Sequence, residues 1–273
     1  MLVTQGHLDA TDNVSSRANS HDTQRNLMKS VIFLRARSLR TVFAALSLIG
    51  TVGLISASGA TTAPTPRAEL SAAIAAGNAQ HYVRIVSVNT SPGASQQVSS
   101  QAGPGTGTQF LTNSGSGGSG EMFVIYVNHI LFVKASLGFL EGTFGLTKGA
   151  ATPVTNKWAS VATSNPAYGN VFSAVTIKSA MSYLAYTGTV TAGGTTVVNG
   201  IKVKVLRVAI GKSSVAPAGT ETLYIALTGP PLPIAVNFVG SGYSSKLTFS
   251  QWGKRFTLHA PTSSLRMPSA QAG

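Results

Sequence analysis

The sequence contains no cysteine. That excludes disulfides, thiolate-held zinc, iron–sulfur clusters and thiol catalysis. Charge is also scarce. Asp, Glu, Lys and Arg make up 10% of the 273 residues, against 43% apolar residues. A disordered chain has the opposite balance. A folded chain of this length buries roughly 70% of its unfolded surface, enough for a core without covalent staples. Aspartate disappears after residue 60. From residue 61 onward, fourteen Lys and Arg stand against four Glu (Glu69, Glu121, Glu141 and Glu221), a net of +10. Such an excess favours anionic lipid headgroups or cell-wall polymers. The basic residues are scattered along strands rather than gathered into an arm or stripe, which argues against a nucleic-acid partner.

Catalytic patterns are missing as well. After residue 60 the histidines are His81, His129 and His259, and none is spaced as HxH, HxxH or HExxH. The four Glu are far apart and form no local carboxylate pair. There is no G-x-S-x-G elbow. One G-x-G-x-x-G occurs at Gly115, Gly117 and Gly120. A dinucleotide site needs a strand before it and a helix after it; here a strand follows, so the run reads as a linker. No cofactor, no metal and no enzymatic activity are expected. A hydrolase site assembled in space is the least favoured alternative.

The N-terminal region has its own pattern. Residues 1–27 are polar without periodicity. Lys29, Arg35, Arg37 and Arg40 then precede an apolar run from Thr41 to Ala57, which exits through Ala57-Ser58-Gly59-Ala60. A basic flank, an apolar run and small residues at the exit are the parts of a secretory signal, with cleavage after Ala60. Met28 is the expected start. The alternative is an uncleaved anchor, for which this run is near the short limit. The expected organisation is therefore an N-terminal extension and signal or anchor (1–60), a tether (61–65), one domain (66–262) and a flexible tail (263–273). The domain is placed in the periplasm, the cell envelope or the medium.

Within the domain, Thr65-Pro66 reads as a helix cap with proline at the first position. Leu70, Ala73, Ile74 and Gly77 then form an apolar stripe at helical spacing. Strands are expected over 81–89, 96–101, 107–112, 121–127 and 130–135, with Asn128-His129 as a two-residue turn. Residues 195–210 form a hairpin about Asn199-Gly200, with a bulge expected at Val205-Leu206 where the alternation slips. Residues 222–228, 243–250 and 254–260 alternate apolar and polar, the mark of an antiparallel sheet with one wet face. A second helix is expected over 176–186, capped by Thr176. The glycine-studded stretch 136–149 reads as a loose helix or mobile flap, since each helical glycine costs about 1 kcal/mol. This is an α+β pattern: an extended antiparallel sheet with short helices as its only cover. Helices of eleven residues reach only ~17 Å, so a cavity beneath them is reasonable; a fully packed core is the alternative. The apolar faces assign the cavity lining to Phe123, Ile125 and Val127, to Leu140 and Phe144, and to Ile177, Ala180, Met181 and Leu184. From the later strands they add Leu223, Ile225, Leu227, Ile234, Val236, Phe238, Leu247, Phe249, Phe256 and Leu258.

Three short motifs and their order carry a resemblance. The run 247–261, LTFSQWGKRFTLHAP, joins an apolar strand, a Trp-Gly turn, a second strand and Ala-Pro. Asn156-Lys157-Trp158 is followed by Val161, and Leu232-Pro233 precedes the strand over 234–239. With the order of helix, meander, Phe132-Val133-Lys134 strand, short helix and Asn-Gly hairpin, residues 66–262 resemble the LppX/LprA/LprF/LprG lipoproteins, relatives of LolA and LolB. The resemblance implies a half-open antiparallel β-barrel with short helices over its concave apolar face. It also implies a non-enzymatic carrier of acyl-chain lipids or lipidated glycoconjugates. The expected partners are such a lipid and the cell-envelope membrane surface, with the protein a monomer. The sequence departs from that family in lacking the lipobox cysteine, which excludes acylation there, and in placing Gln251 where an acidic residue usually precedes the closing Trp-Gly turn. A packed exported module that binds cell-wall polymer or protein is the rival reading.

The first expected outcome concerns processing. N-terminal sequencing of the exported protein should begin at or near Thr61, without acylation; an intact Thr41–Ala57 run would establish the anchor instead.

Overall fold

The computed structural model describes residues 63–115, 119–211 and 218–269. The N-terminal extension, the signal and Gly117 lie outside the described residues. Helix α1 spans Pro66–Asn78, with the Thr65 hydroxyl accepting from the Ala68 N–H. Proline at its start and Gly77-Asn78 at its end fall where the sequence puts them. Five antiparallel strands follow: β1 (Val83–Ser91), β2 (Ala94–Gly103), β3 (Thr106–Gly115), β4 (Gly120–Val127) and β5 (Ile130–Ala135). The β4–β5 turn has both Asn128 and His129 at positive φ, 52° and 62°, the conformation that the twist of a two-residue hairpin favours.

The helical interlude is α2 (Leu137–Phe144), α3 (Lys148–Ala151) with a 3-10 turn at Thr152–Val154, the short β6 (Ala159–Val161), α4 (Tyr168–Ser173) and α5 (Ile177–Tyr183). The rest is sheet: β7 (Val190–Val198), β8 (Ile201–Ile210), β9 (Gly219–Ala226), β10 (Pro233–Gly240), β11 (Tyr243–Ser250) and β12 (Leu265–Arg266). All twelve strands form one sheet in the order β12-β6-β5-β4-β3-β2-β1-β11-β10-β9-β8-β7, antiparallel except where β12 runs parallel to β6. Helices lie on one face. This is the open α+β half-barrel arrangement expected from the sequence.

Four local expectations need correction. Residues 254–260 form no strand. Their alternation is real, since Phe256 and Leu258 are half-buried between exposed neighbours, but β11 already pairs with β1 on one side and β10 on the other. A returning strand has no free edge there. Second, the bulge lies on β7 rather than β8. Register shifts between Ala192 and Thr195, where Gly193 and Gly194 face Val205. A side chain on Gly193 would come within 2.8 Å of Val205 Cγ1. Third, residues 136–149 are built into the core: Phe139, Leu140, Phe144 and Leu146 are buried, and Gly145 ends α2 in the left-handed conformation, φ 64°. Fourth, the tail is not free throughout its described part, since Leu265 and Arg266 pair with β6 and Met267 is buried.

Helices α1 and α5 pack against each other at Gly77. A Cβ there would lie 2.2 Å from Met181 Sδ, and Met181 is fully buried. Gly77→Ala should therefore lower stability by about 1–3 kcal/mol through overpacking. Gly138→Ala, in α2 with open space around it, should raise stability by about 0.4–1 kcal/mol by restricting the unfolded chain. Urea melts of both variants test the contrast.

Candidate ligand-binding face

Register fixes which side chains share the helix-covered face. Across neighbouring strands Leu206, Leu223, Val236, Leu247, Ser87, Val98, Leu111, Met122 and Ala135 stand in one row. Most are apolar, and they divide into two packs. One joins β3–β6 to α2, α3 and α4 through Leu111, Met122, Val124, Leu131, Leu140 and Phe144. The other joins β8–β11, and the Val83 and Ala102 ends of β1 and β2, to α1 and α5 through Leu70, Ala180, Met181, Leu184, Leu206, Leu223, Ile225, Val236, Leu247 and Phe249.

Between the packs the face changes character. Ser87 and Val98 are half-buried, and one row further on the side chains are polar. Ser245, Asn89, Gln96 and Asn113 are register partners on β11, β1, β2 and β3. The Ser245 hydroxyl donates to Asn89 Oδ1 at 2.6 Å, and the Tyr243 hydroxyl reaches the same atom at 3.4 Å. Asn89 Nδ2 donates to Gln96 Oε1 at 3.2 Å, and Gln96 Nε2 to Asn113 Oδ1 at 2.9 Å. The result is an uncharged, hydrogen-bonded seam across four strands. At the opposite end of these strands the α4–α5 link lies across the sheet. Gly107 has no side chain because Val175 O would lie 2.4 Å from its Cβ. Gln109 Nε2 donates to Ser100 Oγ at 3.2 Å and to Ala174 O at 3.4 Å, tying the link to the sheet.

One carboxylate lies on this face. Glu221, 4% exposed, is in register with Phe238 and Val208. Burial first, and then the charge of Glu221, hold the Tyr186 phenol well above its ordinary value of 10.0. Burial also raises Tyr243, with Ser245 pulling it down and Glu221 pushing it up. The other charges here are Lys204, paired with Glu69 of α1, and Lys202.

The sequence-assigned lining is distributed unevenly. Leu140 and Phe144 fall in the first pack. Ala180, Met181, Leu184, Leu223, Ile225, Val236, Leu247 and Phe249 fall in the second, with Ile177 packed against it. Phe238 shares the face beside Glu221, and Ile234 is buried at a break in the β9–β10 register. Phe123, Ile125 and Val127 are on the opposite face by register: Phe123 pairs with Phe110 and stacks on it at 4.3 Å. Residues 122–127 are apolar on both faces, so alternation gave no way to choose between them. Leu227 is 47% exposed, just beyond β9. Phe256 and Leu258 lie in the coil after β11, with the Phe256 ring edge-on to Tyr82. Sequence reasoning missed Glu221 and the polar seam. The signal was present: Glu221 is in phase with Leu223 and Ile225, and Gln96 with Val98 and Ser100. An open pocket of about 440 Å³ also occurs at the β6–β12 edge beside Tyr168 and Leu265, away from this lining. Among the described residues no group of three or more His, Cys, Asp and Glu is placed to hold a metal.

No family model and no curated protein matches the chain. Solved structures do. LprF from Mycobacterium bovis is 15% identical, over 73% of this chain and 99% of that one, with a TM-score of 0.49. Lipoprotein LppX from Mycobacterium tuberculosis is 17% identical, over 72% and 100%, at 0.44. A LolA superfamily protein from Nitrosomonas europaea is 11% identical, over 72% and 96%, at 0.27.

The phenol beside Glu221 gives a pH prediction. Its folded pKa is raised, so the stabilisation is complete below the unfolded value of about 10 and is lost as pH rises above it. Denaturant midpoints should fall above pH about 10, and Tyr186→Phe should make that fall shallower.

Proposed function

We propose that this chain is an exported, non-enzymatic carrier of an acyl-chain lipid, held against the helix-covered face of the sheet. The observation that supports this most directly is the half-buried strip at Ser87 and Val98 between the two apolar packs, which we read as a trough running from the α4–α5 link to the hydrogen-bonded seam. Acyl chain laid along Ser87, Val98 and the flanks of the packs leaves water at ~0.8 kcal/mol per CH₂. The seam at Asn89, Gln96, Asn113 and Ser245 offers amide and hydroxyl groups to the polar end of the same molecule. The seam carries no charge, Lys204 pairs with Glu69, Glu221 is a buried carboxylate, and Lys202 lies at the exposed far end of β8. The face therefore suits an uncharged headgroup, such as a glycosyl or amide group, better than a phosphate.

The rival reading, a packed exported interaction module, has one observation in its favour: Met181 and Leu184 are wholly buried, so the second pack is closed at the place where the sequence suggested a void. Ala180 sits in that closed pack and is a poor entrance for ligand. Ser87 is a better probe, since it is half-buried in the trough between Leu247 and Val98.

Organic-solvent extraction of the purified folded protein should release stoichiometric lipid; a clean extract favours the module. In parallel, Ser87→Trp should leave the thermal midpoint nearly unchanged and weaken binding of a fluorescent acyl lipid about tenfold or more, a loss of about 1.4 kcal/mol or more. Retained fold with unchanged binding removes the trough as the site.

A further inference from the structure

The outer face of the sheet, turned away from the helices, has a composition that lipid carriage does not use. Register places Arg84, Lys134, Arg207, Lys246 and Arg266 on it, five of the seven Lys and Arg borne by strands; Lys202 and Lys204 share the helix-covered face. The matching acidic residue on those strands is Glu121. The described ion pair, Lys204–Glu69, involves none of the five. Large apolar side chains are interleaved with these cations and open to water: Val88 at 43%, Phe110 at 36% and Val239 at 65%. Val88 stands directly opposite Lys246. Phe110 stacks on Phe123, over whose ring Lys134 lies at 6.0 Å. From β10 to β5 the patch crosses seven strands, about 29 Å at ordinary strand spacing.

We propose that this face docks on an anionic lipid bilayer. Cations above a negative surface are attracted within a Debye length, each worth about fivefold in partition. The exposed apolar side chains decide between a bilayer and a soluble anionic polymer. Val88, Phe110 and Val239 leave water when pressed into an interface, and a hydrated polyanion offers them no such environment. The helix side also bears exposed cations, Lys148, Lys157 and Lys178, but they sit on separate helices and loops. The helices would then face away from the membrane. The proposal holds whether or not the protein carries a lipid.

Because the chain has no cysteine, single-site labelling tests it. Full-length Val88→Cys and Lys178→Cys proteins, each bearing an environment-sensitive fluorophore, are mixed with phosphatidylcholine vesicles, with or without about one-third phosphatidylglycerol. The label at 88 should shift to the blue on the anionic vesicles alone, and less so as salt rises, while the label at 178 should not move. Both proteins share the N-terminal apolar run, so the contrast between the two sites is independent of it. Arg84→Glu with Lys246→Glu should lower partition by roughly tenfold or more, and Lys157→Glu with Lys178→Glu should change it little. An equal shift at 178, unchanged partition of the outer-face pair, or a response to a soluble polyanion without any to vesicles would each overturn the proposal.

Discussion

Twelve strands share one sheet, and neighbouring strands hold a register that breaks locally only on β7 and at the start of β10. Because side chains alternate with period two, placing one residue on one face places its partners on every neighbouring strand. Leu206 beneath α1 and α5 and Met122 beneath α2 are thus linked through six intervening strands. The distribution of apolar, polar and basic side chains between the faces follows from this constraint. So does the absence of a strand at 254–260, which would need an edge that β1 and β10 already occupy.

A sheet this wide cannot be covered by helices this short. Among the described residues the longest helix, α1, has 13 residues, about 20 Å at helical rise. Cover therefore comes in two pieces, each with its own apolar pack. The strip between them is where polar residues are tolerated on the inner face. Gln96 and Gln109 are buried, yet each donates a hydrogen bond, which offsets the cost of taking an amide out of water. Close backbone approach does the same work at the joints: Gly77 lets α1 meet Met181, and Gly107 lets the α4–α5 link lie on the sheet. The inner face is then not a uniform core, but two packs with a half-buried, partly polar strip between them.

The same register separates two kinds of surface. The uncharged hydrogen-bonded seam lies inside, with the buried Glu221 carboxylate, Lys202 and the one described ion pair at its α1 side. Most strand-borne cations, without an ion pair among the described residues, lie outside among exposed apolar side chains. Had the strands slipped by one residue, Lys246 and Arg84 would lie under the helices and Leu247 and Ile85 in water. The positive charge of the domain thus gains a location from the fold that its composition alone does not supply.

Local chemistry was legible in the sequence where the cause is local. Thr65-Pro66 and Thr176 cap helices through their own side chains, and Asn128-His129 and Asn199-Gly200 turn because short-range twist requires positive φ. Leu223 with Ile225, and Leu247 with Phe249, alternate against polar neighbours, so their face could be read from the chain. The tertiary structure decided what depends on distant partners. Phe123 and Ile125 sit in a run apolar on both faces, and only pairing with Phe110 and Phe132 puts them outside. Phe256 and Leu258 alternate as a strand would, yet no edge is free to pair them. The seam of Asn89, Gln96, Asn113 and Ser245 joins residues separated by up to 156 positions, and no pattern within a single strand reveals a hydrogen-bonded row built across four.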